Sequence, residues 1–415
     1  MLTNRVVITG IGVVAPNAIG CAAFTNALRH GHSGIRRITE FDTAPLKTKS
    51  AATVINVDPL AHMSHADVRR TPRMVPFAVA AAREAMAMAH LHPTADNIDL
   101  SRQIGVALGT GGGGLSFVEA QYRLYFTHQK GYSPFTITSG THGNLSSELS
   151  IHFGLRGPSH VITTGCTSST DALGYATMLI RNKVCPVMLA GGADAPIAEG
   201  ILKGFEIMRI LADERDDPAA MSRPFNRDRD GFVLGEGAWF FVLEDADFAA
   251  RRGAQPLAEI LAHASTCDAF HRVQPAPDAT ESARAINLAL SLANLQPEQI
   301  DYVNLHGTST QLNDALETKA MHLALGPAAK RIPMSSTKSM IGHPQGACGA
   351  AGLAATILSA RAGFLHPTIN LHTPDPTCDL DYIANVPREA PKRLTALCNC
   401  IAFGSKNSAL VVRTV

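Results

Sequence analysis

Short, almost unbroken apolar runs alternate along this chain with longer, alanine-rich stretches of mixed polarity. "RVVITGIGVV" (5–14), "IGVALG" (104–109), "HVITT" (160–164), "CPVMLAGG" (185–192), "AWFFVLE" (238–244), "YVNLHG" (302–307), "ALCNCIAF" (396–403) and "SALVV" (408–412) have the length of strands. Near-continuous hydrophobicity marks strands buried on both faces. Helical spacing of apolar positions predicts helices over 74–90, 170–182, 280–294, 314–325 and 349–362. This alternation predicts an α/β architecture with helices on both sides of mixed sheets. The segment 244–260 reads as an exposed connection between two halves of similar make-up, and no sequence repeat is clear enough to prove duplication.

A length of 415 residues suits two or three domain-sized units, or one large doubled unit. With 46% hydrophobic and 17% charged residues, the chain reads as a well-buried enzyme and not as a solvating or disordered polymer. A net charge of +1 gives no reason to expect nucleic acid or a membrane surface as partner. No apolar run is long enough to span a bilayer, and "MLTNRVVITGIGVVAP" lacks the apolar core of a signal peptide. Eight cysteines in that setting read as reduced, cytoplasmic thiols. "CNC" at 398–400 has no matching second pair, so zinc is not expected.

Glycine clusters invite cofactor readings and do not sustain them. "TGIGVVAP" places Gly10, Gly12 and Ala15 at dinucleotide-fingerprint offsets, but Pro16 stands where the phosphate-binding helix should already run. "GTGGGG" (109–114) lacks the Gly-Lys-Ser/Thr of a phosphate loop. No nucleotide cofactor is expected.

Candidate chemistry begins with "SHVITTGCTSSTDALGYATMLI" (159–180), where Cys166 stands at the corner between a strand-like run and a helix-like one. A small buried core residue is one reading. A nucleophile is the other, because a helix N-terminus favours a thiolate. His306 in "YVNLHGTSTQLNDALE" and His343 in "SSTKSMIGHPQGACGAAG" each follow an apolar run in a turn rich in glycine and hydroxyls. Lys338 lies five residues before the second. A thiolate can take an acyl group from a thioester, and imidazole N–H groups can stabilise the enolate left when a malonyl thioester loses carbon dioxide.

These segments, with "VVITGIG", "FDTAPLKTKSAA", "GLRGPS", "AGGADAPI", "SRPFNRDRDGFVLGEGA" and "PTINL", resemble the β-ketoacyl-[acyl-carrier-protein] synthases (ketosynthases) of the thiolase superfamily. The likeness runs along nearly the whole chain. It is strongest to the long-chain type II enzymes and to the catalytic ketosynthase subunits of type II polyketide systems. The resemblance implies a thiolase-like α/β fold: two similar halves in an αβαβα layered sandwich, 1–250 bearing Cys166 and 251–415 bearing His306, Lys338 and His343. It implies decarboxylative Claisen condensation of an acyl chain on Cys166 with malonyl-[acyl-carrier protein], in polyketide, polyene or fatty-acid biosynthesis. By the family's pattern His306 and His343 assist decarboxylation and condensation, and Lys338 orders the site's charge. The N–H groups of Cys166 and Phe403 form the oxyanion hole, with Phe403 and Phe232 at the gate. Thr308 and Thr310 hold the phosphopantetheine arm, and Gly112 and Phe205 line the acyl pocket. Arg69, Arg70, Arg73 and Arg209 receive an acidic acyl carrier protein. No cofactor or metal is implied, and the assembly is a homodimer or a heterodimer with a chain-length-factor-like subunit.

The chain departs from the family's pattern at several positions. The C-terminal signature reads Ile401-Ala402-Phe403-Gly404-Ser405-Lys406-Asn407, so Ala402 replaces a glycine that would free the gate. Gly352 stands where a glutamate usually faces the lysine, which leaves Asp314 or Glu317 as the expected partner of Lys338. Gly112 replaces a bulkier pocket-floor residue, which would deepen or widen the pocket. A non-catalytic chain-length-factor-like subunit would lack the nucleophile, and a thiolase would use a second, C-terminal cysteine as base. Cys166 and both histidines speak against the first, and the apolar setting of Cys398 and Cys400 against the second.

Overall fold

The computed structural model describes residues 4–94, 96–129 and 132–415. Ten strands form its spine. Five belong to the first half: β1 (Val6–Ala15), β2 (Ile104–Gly109), β3 (Ser159–Ile162), β4 (Val187–Asp194) and β5 (Gly237–Asp245). Five belong to the second: β6 (Ala258–Cys267), β7 (Tyr302–Asn304), β8 (Met334–Ser335), β9 (Thr395–Ala402) and β10 (Lys406–Thr414).

The spatial order is β3-β2-β4-β5-β1 in the first half and β8-β7-β9-β10-β6 in the second. In each half the first three strands of that order are parallel, and the last two run antiparallel. The second half therefore repeats the topology of the first, strand for strand. Sequence showed no such repeat, because strand order and direction are preserved here without matching side chains. The halves join where Val6–Ile8 of β1 pairs with Ala258–Ile260 of β6.

The helices repeat as well. α1 (Met74–Met88), α2 (Leu145–Phe153) and α3 (Ser168–Arg181) precede β2, β3 and β4; α4 (Thr280–Ala293), α5 (Gln311–Leu325) and α6 (Cys348–Arg361) precede β7, β8 and β9. Successive strand residues point to opposite faces. Trp239, Phe241 and Leu243 of β5 join the central core with α3 and α6, while Phe240 and Val242 join the outer core with α1 and α2. Leu410 and Val412 of β10 face the same central core, and Ala409 and Val411 face α4 and α5. Five layers result: outer helices, sheet, the α3/α6 pair, sheet, outer helices.

Gly10 and Gly12 are explained by this packing. A Cβ on either would run into the carbonyl oxygens of Ala85 and Ala81 on α1, so the fingerprint-like run is a helix–strand contact. The expected connection 244–260 holds a helix at Ala246–Arg251 and then becomes β6, with Ala258 and Ile260 fully buried. Further helices at Cys21–His30, Leu115–His128 and Glu199–Met208 have no counterpart among the predicted elements. None of the helices among the described residues is long and apolar enough to cross a membrane.

Candidate active site

Cys166 lies in the turn from β3 to α3, two residues before the first residue of the helix. Gly165 takes φ +73°, a left-handed conformation that other residues enter only at a cost, and it turns the chain there. Ser168 Oγ accepts from Thr164 N at 2.9 Å, and Thr164 Oγ1 donates to Asp171 at 2.6 Å. The turn is thus pinned on both sides of the thiol.

His306 follows β7, the strand of the second half that matches β2 of the first. Glu317 of α5 fixes its backbone: the carboxylate accepts from His306 N and Gly307 N, each at 2.7 Å, and from Asn399 Nδ2 at 2.6 Å. His343 lies between β8 and α6, the counterpart of the turn that holds Cys166. Its N–H donates to Val233 O at 2.7 Å, and its Nδ1 is buried without a hydrogen-bond partner.

These three residues from three turns converge. One side-chain atom of each of Cys166, His306 and His343 lies within 4.8 Å of the others. The imidazoles meet edge to face with centroids 5.3 Å apart, and Phe232 packs edge-on against His343 at 5.2 Å.

Electrostatics follow from burial. Cys166 is 3% exposed, and burial, reinforced by Cys348, pushes its thiol up to about 12. Lys338 and the N–H of Phe403 act in the opposite direction without winning. Burial of the sulfur thus favours the protonated thiol over the thiolate expected at a helix corner. His306 and His343 are both held well below the ordinary imidazole value, first by burial and then by Lys338. Both are neutral near pH 7.

A cavity of about 490 Å³ reaches this cluster. Cys166, His306, His343, Phe232 and Phe403 line it, and Thr308, Thr310 and exposed Arg209 lie farther along its wall. Thr308 Oγ1 and Thr310 Oγ1 are 2.9 Å apart.

Two family models account for most of the chain: the β-ketoacyl synthase N-terminal domain matches residues 3–249, and the C-terminal domain matches 257–372. The chain belongs to the β-ketoacyl synthase family. It is 39% identical over 417 residues to the oxytetracycline polyketide putative β-ketoacyl synthase 1 of Streptomyces rimosus, covering 99% of this chain and 97% of that protein. It is 38% identical to the 3-oxoacyl-[acyl-carrier-protein] synthase 2 of Synechocystis sp., covering 99% and 98%. Among solved structures, the ishigamide ketosynthase/chain length factor superposes with a TM-score of 0.92 at 33% identity, over the full length of both chains.

The remaining residues singled out from the β-ketoacyl synthase pattern fall into different settings. Gly112 and Phe205 are not among the described residues lining the Cys166 cavity. Gly112 N donates to buried Asp194 at 2.9 Å, and Phe205 packs edge-on against Phe232, at 5.5 Å between rings. The expected deepening of the pocket at Gly112 is therefore not seen in this chain's own cavity.

Lys338 is paired with neither expected carboxylate. Asp314 accepts from Phe225, Thr308 and Ser309 N–H groups and faces Arg229, and Glu317 is filled by the His306 turn. The Lys338 ammonium instead acts on the Cys348 thiol, favouring its ionised form. Gly352 could not take a side chain as the site stands, because its Cβ would press on the Asn304 carboxamide, which donates to Thr337 at 3.0 Å.

Arg69 and Arg70 end an exposed helix, with Arg70 over the Phe135 ring at 5.0 Å. Arg73 is also exposed, but its guanidinium reaches back to bond the buried Glu236 carboxylate at 2.8 Å and Val54 O at 2.7 Å, which its two neighbours do not do. Sequence reasoning offered Glu317 to Lys338 and passed over Asn399 and Asp194; the structure has Glu317 holding the His306 turn, and its place eleven residues past His306 on the next helix is the signal that could have shown this.

Proposed function

We propose that Cys166 is the acyl-carrying nucleophile of a ketosynthase acting on acyl-carrier-protein thioesters. The convergence of Cys166, His306 and His343 at the inner end of one cavity carries this reading. In the first half-reaction a neutral imidazole accepts the thiol proton, sulfur attacks the incoming thioester carbonyl, and the carrier's pantetheine thiol leaves with a proton. In the second, malonyl-carrier protein loses carbon dioxide. The resulting enolate attacks the Cys166 thioester, giving a β-ketoacyl-carrier protein and free Cys166. Two imidazole donors at a developing oxyanion supply several kcal/mol, and the Phe403 N–H beside the sulfur supports an oxyanion-hole role with Cys166 N–H. Thr308 and Thr310 are positioned for the pantetheine arm, and Arg209 at the rim for an acidic carrier.

The reading places the enzyme in type II polyketide or fatty-acid biosynthesis in the cytoplasm, working with an acyl carrier protein and a second subunit of the same fold. A solved relative of TM-score 0.88 is described as a type II ketosynthase in complex with its acyl-carrier protein. A non-catalytic partner subunit is disfavoured, because the thiol and both imidazoles are present and assembled.

Intact-protein mass spectrometry after incubation with acyl-carrier protein tests the assignment. One acyl adduct is expected, absent in Cys166→Ala. His306→Ala and His343→Ala should retain partial acyl loading and lose most carbon dioxide release. An adduct that survives in Cys166→Ala, or wild-type condensation in both histidine variants, would overturn the reading.

A further inference from the structure

Beside Cys166, and outside the lining of the cavity, lie two thiols that the condensation does not use. Cys348 opens α6 and Cys400 lies on β9; with Cys166 and Ala402 they form a small buried cluster of their own. Cys400 Sγ is 3.5 Å from Cys348 Sγ and 3.4 Å from His306 Nδ1. Both thiols also reach one oxygen, the main-chain carbonyl of Cys166, at 3.1 Å from Cys400 and 3.2 Å from Cys348. The three ligand atoms Sγ, Sγ and ring nitrogen all lie within 4.8 Å of one another.

We propose that Cys348, Cys400 and His306 Nδ1 form a binding site for a thiophilic d10 cation such as zinc, with the Cys166 carbonyl oxygen placed to complete it. Tetrahedral zinc with bonds of about 2.3 Å to sulfur and about 2.0 Å to nitrogen has edges of about 3.8 Å between sulfurs and about 3.5 Å between sulfur and nitrogen. The two separations from Cys400, 3.5 Å to Cys348 Sγ and 3.4 Å to His306 Nδ1, need only a few tenths of an ångström of relaxation, and the third edge lies within 4.8 Å. Each thiol releases its proton to solvent, and two thiolates with a neutral imidazole offset the dication, with the Lys338 ammonium leaving one positive charge beside them.

"CNC" pointed away from zinc because no second pair accompanies it. The fold supplies the missing ligands from 52 and 94 residues earlier in the chain. An ion held here grips His306 by Nδ1 and leaves the other ring nitrogen to carry the proton. Access runs past Ala402, which belongs to the thiol cluster and also lines the cavity.

The site does not depend on the proposed catalytic roles, and its test reads metal, not turnover. Reduced, metal-stripped full-length protein is titrated with cadmium and followed by sulfur-to-cadmium charge-transfer absorption, with zinc as competitor. One equivalent is expected to bind. Cys348→Ala should bind about tenfold more weakly or worse, since even outer ligands of metal sites are worth 10–100-fold. Cys398→Ala, a buried thiol on the same strand that faces Thr356 instead, should bind as wild type. Cys166→Ala should also bind as wild type, which separates this site from the rival set Cys166, His306 and His343. Unchanged binding in Cys348→Ala would overturn the proposal, as would loss of binding in Cys166→Ala. If melting curves show that Cys348→Ala does not fold, Cys400→Ser decides on the same criterion, because its hydroxyl keeps a donor for the Cys166 carbonyl.

Discussion

Gly109 ends β2 where the first turn of α3 crosses it, and Gly109→Ala probes how tightly that crossing holds Cys166. A Cβ at this position would lie 2.6 Å from the carbonyl carbon of Ser168 and closer still to the backbone of Ser169. Optimal carbon–carbon separation is about 3.5–4.0 Å, so the start of α3 must retreat by about 1 Å. Both obstacles are main chain, and no rotamer change relieves them. Overpacking of this kind costs about 1–3 kcal/mol. The retreating turn carries the thiol, and a misplacement of about 1 Å can cost on the order of 100-fold in rate. Gly109→Ala should therefore melt at a lower temperature and load an acyl group onto Cys166 about 10- to 100-fold more slowly. Gly112→Ala serves as the control: its Cβ would meet Asp194 Oδ1 at 3.4 Å and Pro196 Cβ at 3.6 Å, ordinary contacts. It should load and melt as wild type. Quenched-time-course mass spectrometry and thermal melting read both variants. Wild-type loading in Gly109→Ala would show that the β2–α3 contact does not place the nucleophile.

Three further outcomes follow from the electrostatics. Because burial raises the Cys166 thiol to about 12, its ionised fraction near pH 7 is smaller than that of an ordinary thiol. Iodoacetamide labelling of Cys166, followed by peptide mass spectrometry, should keep rising through about pH 9; a plateau reached below about pH 8 would mean a stabilised thiolate. Arg73→Ala should lower stability in chemical denaturation by about 1–3 kcal/mol, since it leaves the buried Glu236 carboxylate with only the Val54 N–H as partner. Arg70→Glu with Arg209→Glu should instead leave stability alone and raise KM for carrier protein in a salt-dependent way; equal losses on a small pantetheine thioester would remove the docking role.

Much of this was legible in the sequence because buried parallel strands announce themselves. All eight apolar runs contain strands, and all five predicted helices lie within about three residues of observed ones. β6 escaped because its pattern, buried Ala258, Ile260, Ala262 and Ala264 alternating with partly exposed residues, is weaker than a continuous run and sits in a charged context. Cys166, His306 and His343 stood out as chemistry displayed in glycine-rich turns. Their surroundings did not: the hold of Glu317 on the His306 turn, the reach of Arg73 back to Glu236 and the meeting of Cys348 with Cys400 are long-range contacts. Spacing along the chain carries no trace of them. The thiol's protonation was misjudged for a related reason, since the strength of desolvation depends on what the fold packs around the sulfur.

The strand-for-strand repeat has a consequence for how the protein comes into being. The first repeat emerges from the ribosome complete in its own sheet and carrying Cys166, while both imidazoles are still unsynthesised. Its α3 face, with Ala172, Leu173, Ala176 and Ile180, finds its cover only when α6 arrives with Ala351, Ala354 and Ala355. The nascent half is therefore chemically idle and adhesive at once: a bare apolar helix face of this kind invites association with neighbours. Completion of the second repeat ends both conditions in one event, burying the face and bringing both imidazoles to the thiol.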